Sequence, residues 1–444
     1  MKRLIIILPL IMIILTGCLG RIREHNRQDT DIPPNDDKNA IEKDMKDLTE
    51  DDKNPRANPQ APAQPPIGLT PEEKMLKDMT VRQKVGQILM IGFEGDTIPD
   101  HVKEFIVQDK IGGIILFKRN FKDFKGLFEL SKELNELNTR KDIPLFIAAD
   151  EEGGTVSRLP DGKTKIPDAR LLGRIDDVDL TYRTGQVIGR ELRAGGINMD
   201  FAPVLDIVDN PDNKLLIRRA YGATADVVSR HGIRFIQGIH SEGVIACPKH
   251  FPGHGGTAVD SHGMLPKIDI SLETLQSREL VPFKAAISNG VDAIMVGHLA
   301  FPNIDPSGLP ATMSRVFLQD ILRDQLGFEG LAISDDAEMY GFKIHPTLKE
   351  DIITSFNAGV DMFVIGHTYD IQKDVIDILT EGVATGEISM DRLDQSVLRI
   401  LRIKNKYNLA QWRDAIYEEN KDLFGSTENQ RVVDEINQRL EKLE

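Results

Sequence analysis

The chain of 444 residues is poor in cysteine, with two, and in tryptophan, with one. Two cysteines, Cys18 and Cys247, cannot frame a disulfide-stapled fold, so stability must come from a core, which a chain this long and 40% hydrophobic can build. Positive charge is also short: 55 Lys and Arg stand against 70 Asp and Glu, a formal net charge of −15. That balance disfavours nucleic acid, which needs concentrated positive charge, and suits a solvated extracellular surface. The apolar run Leu4–Leu15 falls short of the about 20 residues of a permanent membrane helix. No Gly-rich phosphate loop follows an apolar run, so no nucleotide cofactor is expected. His250 and His254 have zinc-pair spacing, but Pro252 and Gly253 between them forbid the helix that would align them, and no metal is expected.

What is present begins with Lys2-Arg3, the short apolar run and Thr16-Gly17-Cys18, which together read as a signal peptide over residues 1–17. Leu15-Thr16-Gly17-Cys18 resembles a bacterial lipobox, so Cys18 is expected to carry lipid and to hold the chain on the outer face of the cell membrane. Residues 18–70 are polar, charged and increasingly Pro-rich, a tether spanning about 40 Å root-mean-square. Order is expected from Thr70-Pro71-Glu72-Glu73, where Thr70 and Glu73 can close a capping box around a Pro at the first helical position.

Beyond it, eight short, nearly continuous apolar runs alternate with amphipathic segments: Val85–Phe93, Gly112–Phe117, Pro144–Glu152, Gly196–Ile207, Gly243–Phe251, Asp292–Phe301, Gly330–Asp336 and Met362–Gly366. Continuous apolar character is that of strands buried on both faces. Helical patterns lie between, at Asp179–Ala194, Asp226–Ser241, Leu272–Ser288 and Arg315–Leu326. Eight strand–helix units predict a (β/α)8 TIM-type barrel over residues 71–408, with a helical tail over 409–444; the rival is a doubly wound open sheet.

In a barrel, chemistry sits where strands end. The runs end in Asp150-Glu151-Glu152, Asp206, Lys249-His250, His298 and Asp335-Asp336. Any one of these is as well explained by solvation or helix capping, but five together are not. Asp-Glu-Glu-Gly-Gly-Thr-Val-Ser-Arg (150–158), Arg219-Ala220-Tyr221-Gly222, Lys249-His250-Phe251-Pro252-Gly253-His254-Gly255, Asp260-Ser261-His262 and Ser334-Asp335-Asp336-Ala337-Glu338-Met339 together resemble the β-N-acetylhexosaminidase branch of glycoside hydrolase family 3, over roughly Leu76 to Lys404. The sequence departs from the commoner pattern at Glu151, Thr155 and Ala220, where Gln, Arg and Ser are frequent.

The resemblance implies the same barrel and a retaining, two-step mechanism with Asp335 as nucleophile and Asp336 as its rival. It implies an Asp260–His262 pair as acid/base, the imidazole titrating near neutrality and the carboxylate orienting it. Asp150, Arg158, Arg219, Lys249 and His250 would contact the N-acetylglucosamine ring, although Arg158 and Arg219 are equally readable as members of structural ion pairs. The implied activity is exo-acting removal of terminal β-linked N-acetylglucosamine from peptidoglycan-derived saccharides by a monomer without cofactor. Two alternatives stand beside it: a phosphorylase, since a His acid/base puts no fixed negative charge in the way of phosphate, and a non-catalytic wall-sugar-binding lipoprotein.

Overall fold

The computed structural model describes residues 68–140, 143–256 and 263–443. The leader, Cys18 and the tether up to residue 67 lie outside the described residues, as do Asp260 and His262. The first described helix, Pro71–Lys77, starts as its sequence predicts: the Thr70 hydroxyl accepts from the Glu73 N–H at 3.2 Å and the Glu73 carboxylate accepts from the Thr70 N–H at 2.8 Å.

Eight strands follow: β1 (Leu89–Ile91), β2 (Gly113–Ile115), β3 (Phe146–Ala149), β4 (Met199–Asp200), β5 (Ile245–Ala246), β6 (Ala293–Val296), β7 (Leu331–Asp336) and β8 (Met362–Ile365). All pair in parallel, in the order β5-β4-β3-β2-β1-β8-β7-β6. β1 lies between β2 and β8, and β6 meets the chain just past β5: Met295 N donates to Pro248 O, Phe251 N to Met295 O and Gly297 N to Phe251 O, each at 2.9 Å. The sheet therefore closes on itself, which a doubly wound sheet does not do. Core residues of the strands, Met90, Ile114, Phe146, Ile245, Ile294 and Phe363 among them, are fully buried, as continuous apolar runs require.

The strands are shorter than the runs that announced them, for two physical reasons. The first half of Val85–Phe93 is helix: Thr80 and Gln83 close a second capping box, Val81–Gln87 is helical, and only Leu89–Ile91 is strand. Gly86 sits there because a Cβ would come within 1.8 Å of the Asp109 carbonyl oxygen. β4 and β5 are cut to two residues each by Pro203 and Pro248, which have no N–H to give a ladder. Ala202–Pro203, Lys249–His250 and Phe251–Pro252 are cis peptides, and all three lie just past these strands.

Helices Val178–Ala194, Ala225–Ser241 and Leu272–Ser288 follow the predicted segments, the last with a wider π turn at Leu275–Glu279. Past Leu409 the chain is helical, ending in Thr427–Glu441, which packs on Val178–Ala194. Val433 and Ile436 are buried there, and Arg183 Nη1 meets Glu435 Oε2 at 2.7 Å. The buried Glu191 ties this tail to the barrel, accepting from Thr164 Oγ1 at 2.6 Å, Gly425 N at 2.9 Å and Asn429 Nδ2 at 3.1 Å.

Candidate active site

A cavity of about 420 Å3 opens at the end of the barrel where the strands finish, lined by residues that follow β2, β3, β4, β5, β7 and β8. Asp150, Arg158, Arg219, Lys249, His250 and Asp335, expected from sequence, all line it.

One wall is a chain of four charges. Lys249 Nζ lies 2.6 Å from Asp150 Oδ1 and 2.7 Å from Glu152 Oε1, and Glu152 in turn receives Arg219 Nε at 2.8 Å and Nη2 at 2.7 Å. Burial alone would neutralise the Glu152 carboxyl, but Lys249 and Arg219 outweigh it and hold its pKa at about 2. Burial likewise works against the Lys249 ammonium, and Asp150 and Glu152 overcome it and raise its pKa. Arg219 is thus bound to an acid, as one of its two sequence readings held, yet it still faces the cavity. Its neighbour Arg218 turns away to Asp168, at 2.7 Å. Arg158 makes no ion pair among the described residues, and its buried Nε has no partner. It is a donor aimed at whatever fills the space.

The floor holds two acids on imidazoles. Asp206, after β4, is fully buried; its Oδ2 lies 2.7 Å from His250 Nδ1 and its Oδ1 accepts the His254 N–H at 2.6 Å. Burial pushes the Asp206 pKa up, but His250 and His254 bring it below the usual range, so an ionised carboxylate places the proton on His250 Nδ1 and fixes the ring. Asp335 ends β7 and accepts the Asp336 N–H at 2.9 Å. Burial opposes its ionisation, and the His250 and His298 imidazoles prevail, leaving its pKa below that of an ordinary carboxylate.

Its neighbour behaves oppositely. Asp336 is pushed up to about 7 by burial, with the charges of Glu338 and Asp335 adding to it. Its oxygens accept from Glu338 N at 2.9 Å and Gly366 N at 3.2 Å, so it braces the turn and the β7–β8 junction. Of the two adjacent acids, only Asp335 is both in the cavity and held ionised near neutrality.

Sequence reasoning missed Glu152 as the hub of the charge chain. The signal was there: Glu152 stands two residues past Asp150, on the same side of an extended chain. It also missed the pocket side of His254, whose two ring nitrogens are buried without a partner. Nor did it foresee the wall made by Phe117, with Arg119 stacked 4.1 Å from its ring, and by His367. Glu151 has a local explanation: buried, it accepts from Ser157 Oγ at 2.5 Å, Arg158 N at 2.7 Å, Leu159 N at 2.9 Å and Lys163 Nζ at 3.1 Å. A carboxylate here clamps the loop that presents Arg158 and pairs with a lysine. His250 Nδ1 is committed to Asp206, and among the described residues no three His, Cys, Asp or Glu side chains gather as metal ligands do.

Such a mouth, with donors and acceptors alternating around an ionised carboxylate, is fitted to a ring of hydroxyls and to a bond that breaks toward positive charge. The class so defined is that of the glycoside hydrolases. More particularly, the chain belongs to glycosyl hydrolase family 3, whose N-terminal domain model matches residues 80–403. It is 36% identical over 294 residues to a β-hexosaminidase of Thiobacillus denitrificans, covering 65% of this chain and 80% of that protein. Among solved structures it is similar to a family 3 β-N-acetylglucosaminidase from Paenibacillus, with a TM-score of 0.78 and 39% identity over 81% of this chain and 69% of that one. It is also similar to NagZ from Neisseria gonorrhoeae in complex with N-trifluoroacetyl-D-glucosamine, with a TM-score of 0.65 and 29% identity over 80% of this chain and 98% of that one.

Proposed function

We propose that the chain is a retaining, exo-acting β-N-acetylhexosaminidase that releases terminal β-linked N-acetylglucosamine from peptidoglycan-derived saccharides. The observation that carries this is the split between the two adjacent acids, with Asp335 held below the usual carboxylate range at the floor of a sugar-sized cavity and Asp336 pushed up to about 7 and engaged by backbone. The relatives named for β-hexosaminidase and N-acetylglucosaminidase activity support the sugar.

In the first step Asp335 attacks the anomeric carbon, forming a glycosyl ester while the leaving oxygen takes a proton. In the second, water gives up a proton and attacks the same carbon, so the β configuration returns. Asp260 and His262 are assigned the proton transfers on their motif alone. Asp150, Lys249, Arg158 and Arg219 hold the hydroxyls, and a sugar lacking one leaves a buried polar group unpaired, which is the source of selectivity. Cys18 is assigned as the lipid anchor, placing the barrel outside the membrane.

Release of chromophore from a chromogenic N-acetyl-β-glucosaminide tests the activity. A labelled ester on the peptide containing Asp335, seen by mass spectrometry after quenching, tests the intermediate. No release by the wild type, or full activity in Asp335→Ala, would overturn the reading. A sugar phosphate as product when phosphate is present would replace it with phosphorolysis.

A further inference from the structure

A second cavity of about 410 Å3, nearly the size of the catalytic one, lies at the other end of the barrel. Its lining includes Arg193, at the end of the helix leading to β4, Gly243, just ahead of β5, and Tyr407 through Asn420 of the C-terminal segment. It is therefore on the side where the strands begin, opposite the catalytic mouth. Nothing in the proposed reaction uses it.

Three observations bear on what it holds. It contains Trp412, the chain's only tryptophan, half-buried against the core, so that the indole is braced and partly open. Among the described residues the Trp412 indole N–H and the side chains of Asn408, Gln411, Asp414 and Glu419 make no hydrogen bond or ion pair. Asn408, Gln411, Asp414 and Glu419 are exposed beside the half-buried indole, so their donors and acceptors face solvent around one concave surface, where the hydroxyls of a ligand can take the place of water. Finally, Arg193 is set against Asp414 and Glu419, a balance that repels phosphates and other anions and leaves no net attraction for a cation beyond one charge. An aromatic face beside planar amide and carboxylate groups matches a neutral ring with an apolar face and hydroxyl edges.

We infer that this cavity is a second saccharide-binding site, one that takes neutral amino-sugar units of the same glycan and holds the enzyme on it while the mouth works at a chain end. The choice of sugar rests on the proposed function; the site itself does not.

The lone tryptophan makes the test direct, since its emission reports this cavity without a label. Asp335→Ala protein is titrated with triacetylchitotriose. The expected result is a saturable change in emission that persists when Lys249→Ala is added to cripple the catalytic pocket. It is expected to weaken at least fivefold in Gln411→Ala/Glu419→Ala. In the wild-type background that double variant should keep its kcat/KM on a small chromogenic glycoside while losing retention on insoluble peptidoglycan. An unchanged emission at saturating trisaccharide, or a change that vanishes with Lys249→Ala, would overturn the inference. Should the chromogenic glycoside be hydrolysed and the emission stay flat, this site alone fails. Should emission respond without any hydrolysis, the site stands and the proposed activity fails.

Discussion

The two ends of the barrel bury charge in opposite ways. At the mouth, Asp150, Glu152, Asp206 and Asp335 meet Lys249, Arg219 and imidazoles across an open cavity, and donors such as Arg158 Nε are left without partners. At the base, Asp361 just ahead of β8 is wholly buried and receives Arg323 at 2.5 Å, Arg399 at 3.1 Å, Arg392 at 3.4 Å and the Ser396 hydroxyl at 2.7 Å. One carboxylate there fastens two helices to a strand, and Arg323 and Arg392 spend their remaining donors on backbone carbonyls of Phe328, Gly330, Phe356 and Val360. The joint around Asp361 is saturated and the mouth is not. Unmet hydrogen-bonding capacity is what a ligand can use, and its absence is what a joint needs.

That contrast is tested hardest by one substitution at each end. Asp335→Ala should cost on the order of 10^4-fold in kcat/KM on the chromogenic glycoside, while thermal unfolding shifts by less than about 1 kcal/mol because water enters the open cavity. Asp361→Ala should do the reverse. It leaves three half-buried guanidiniums gathered around a fully buried gap without their acid, a loss of about 3 kcal/mol, with kcat per folded molecule unchanged. The Asp361 pKa, which burial would raise, is lowered by Arg323, Arg392 and Arg399. Its contribution is therefore present above the unfolded carboxylate pKa and is lost as pH falls through the folded one, and the variant's acid unfolding should lose that component. Chemical denaturation at neutral and acid pH measures it. A variant at the base that lost activity before stability would erase the distinction.

Asp336 sharpens the comparison, because it is a mouth residue behaving like a joint. Its pKa is raised to about 7, so the folded chain holds a proton that the unfolded chain releases near 3.8. Stability from this group is full below the unfolded value and falls as pH rises toward and past 7. Asp336→Asn keeps the acceptor for Glu338 N–H and removes the penalty. The difference in unfolding free energy between variant and wild type should therefore move in the variant's favour by about 2 kcal/mol from pH 5 to pH 8. A difference independent of pH would mean that Asp336 is ionised throughout, and the distinction between Asp335 and its neighbour would lose its basis.

How far this was legible in the sequence divides along the same line. The barrel followed from eight apolar runs, and the mouth from the polar residues ending them, because burial on both faces and exit at one end each write a local pattern. Asp150, Lys249, His250 and Asp335 were found in this way. Glu152 as a hub was not: its place two residues past Asp150 put it on the right side of the chain, but its partners Lys249 and Arg219 come from segments far away in sequence and leave no local trace. The base was invisible for the same reason: Asp361 meets Arg392 and Arg399 only once β8 and the helix Met390–Lys406 are docked. The overlong strand at Val85–Phe93 came from an apolar stretch whose helical half is buried as deeply as its strand half.

The smallest expected effect concerns a buried charge at the base that has no acid beside it among the described residues. Lys404 is 1% exposed, its Nζ donates to Gln87 Oε1 at 2.8 Å and lies 4.8 Å from the Phe146 ring centre, and no acid answers it. Burial drives its pKa well below 10.5, so the unfolded chain binds a proton that the folded chain sheds. Stability then rises with pH between the folded and unfolded values, and at neutral pH the wild type carries the penalty. Lys404→Met keeps the unbranched volume and the contact with Phe146 but leaves Gln87 Oε1 without a donor. Losing that bond costs about 1 kcal/mol and relief of desolvation returns somewhat more, for a net gain of about 1 kcal/mol near pH 7. The gain should shrink toward pH 10 as the unfolded lysine also becomes neutral. Unfolding curves of both proteins at pH 7 and pH 10 measure this. A loss at both would show that the Gln87 bond outweighs the buried amine and that Lys404, like Asp361, is a joint.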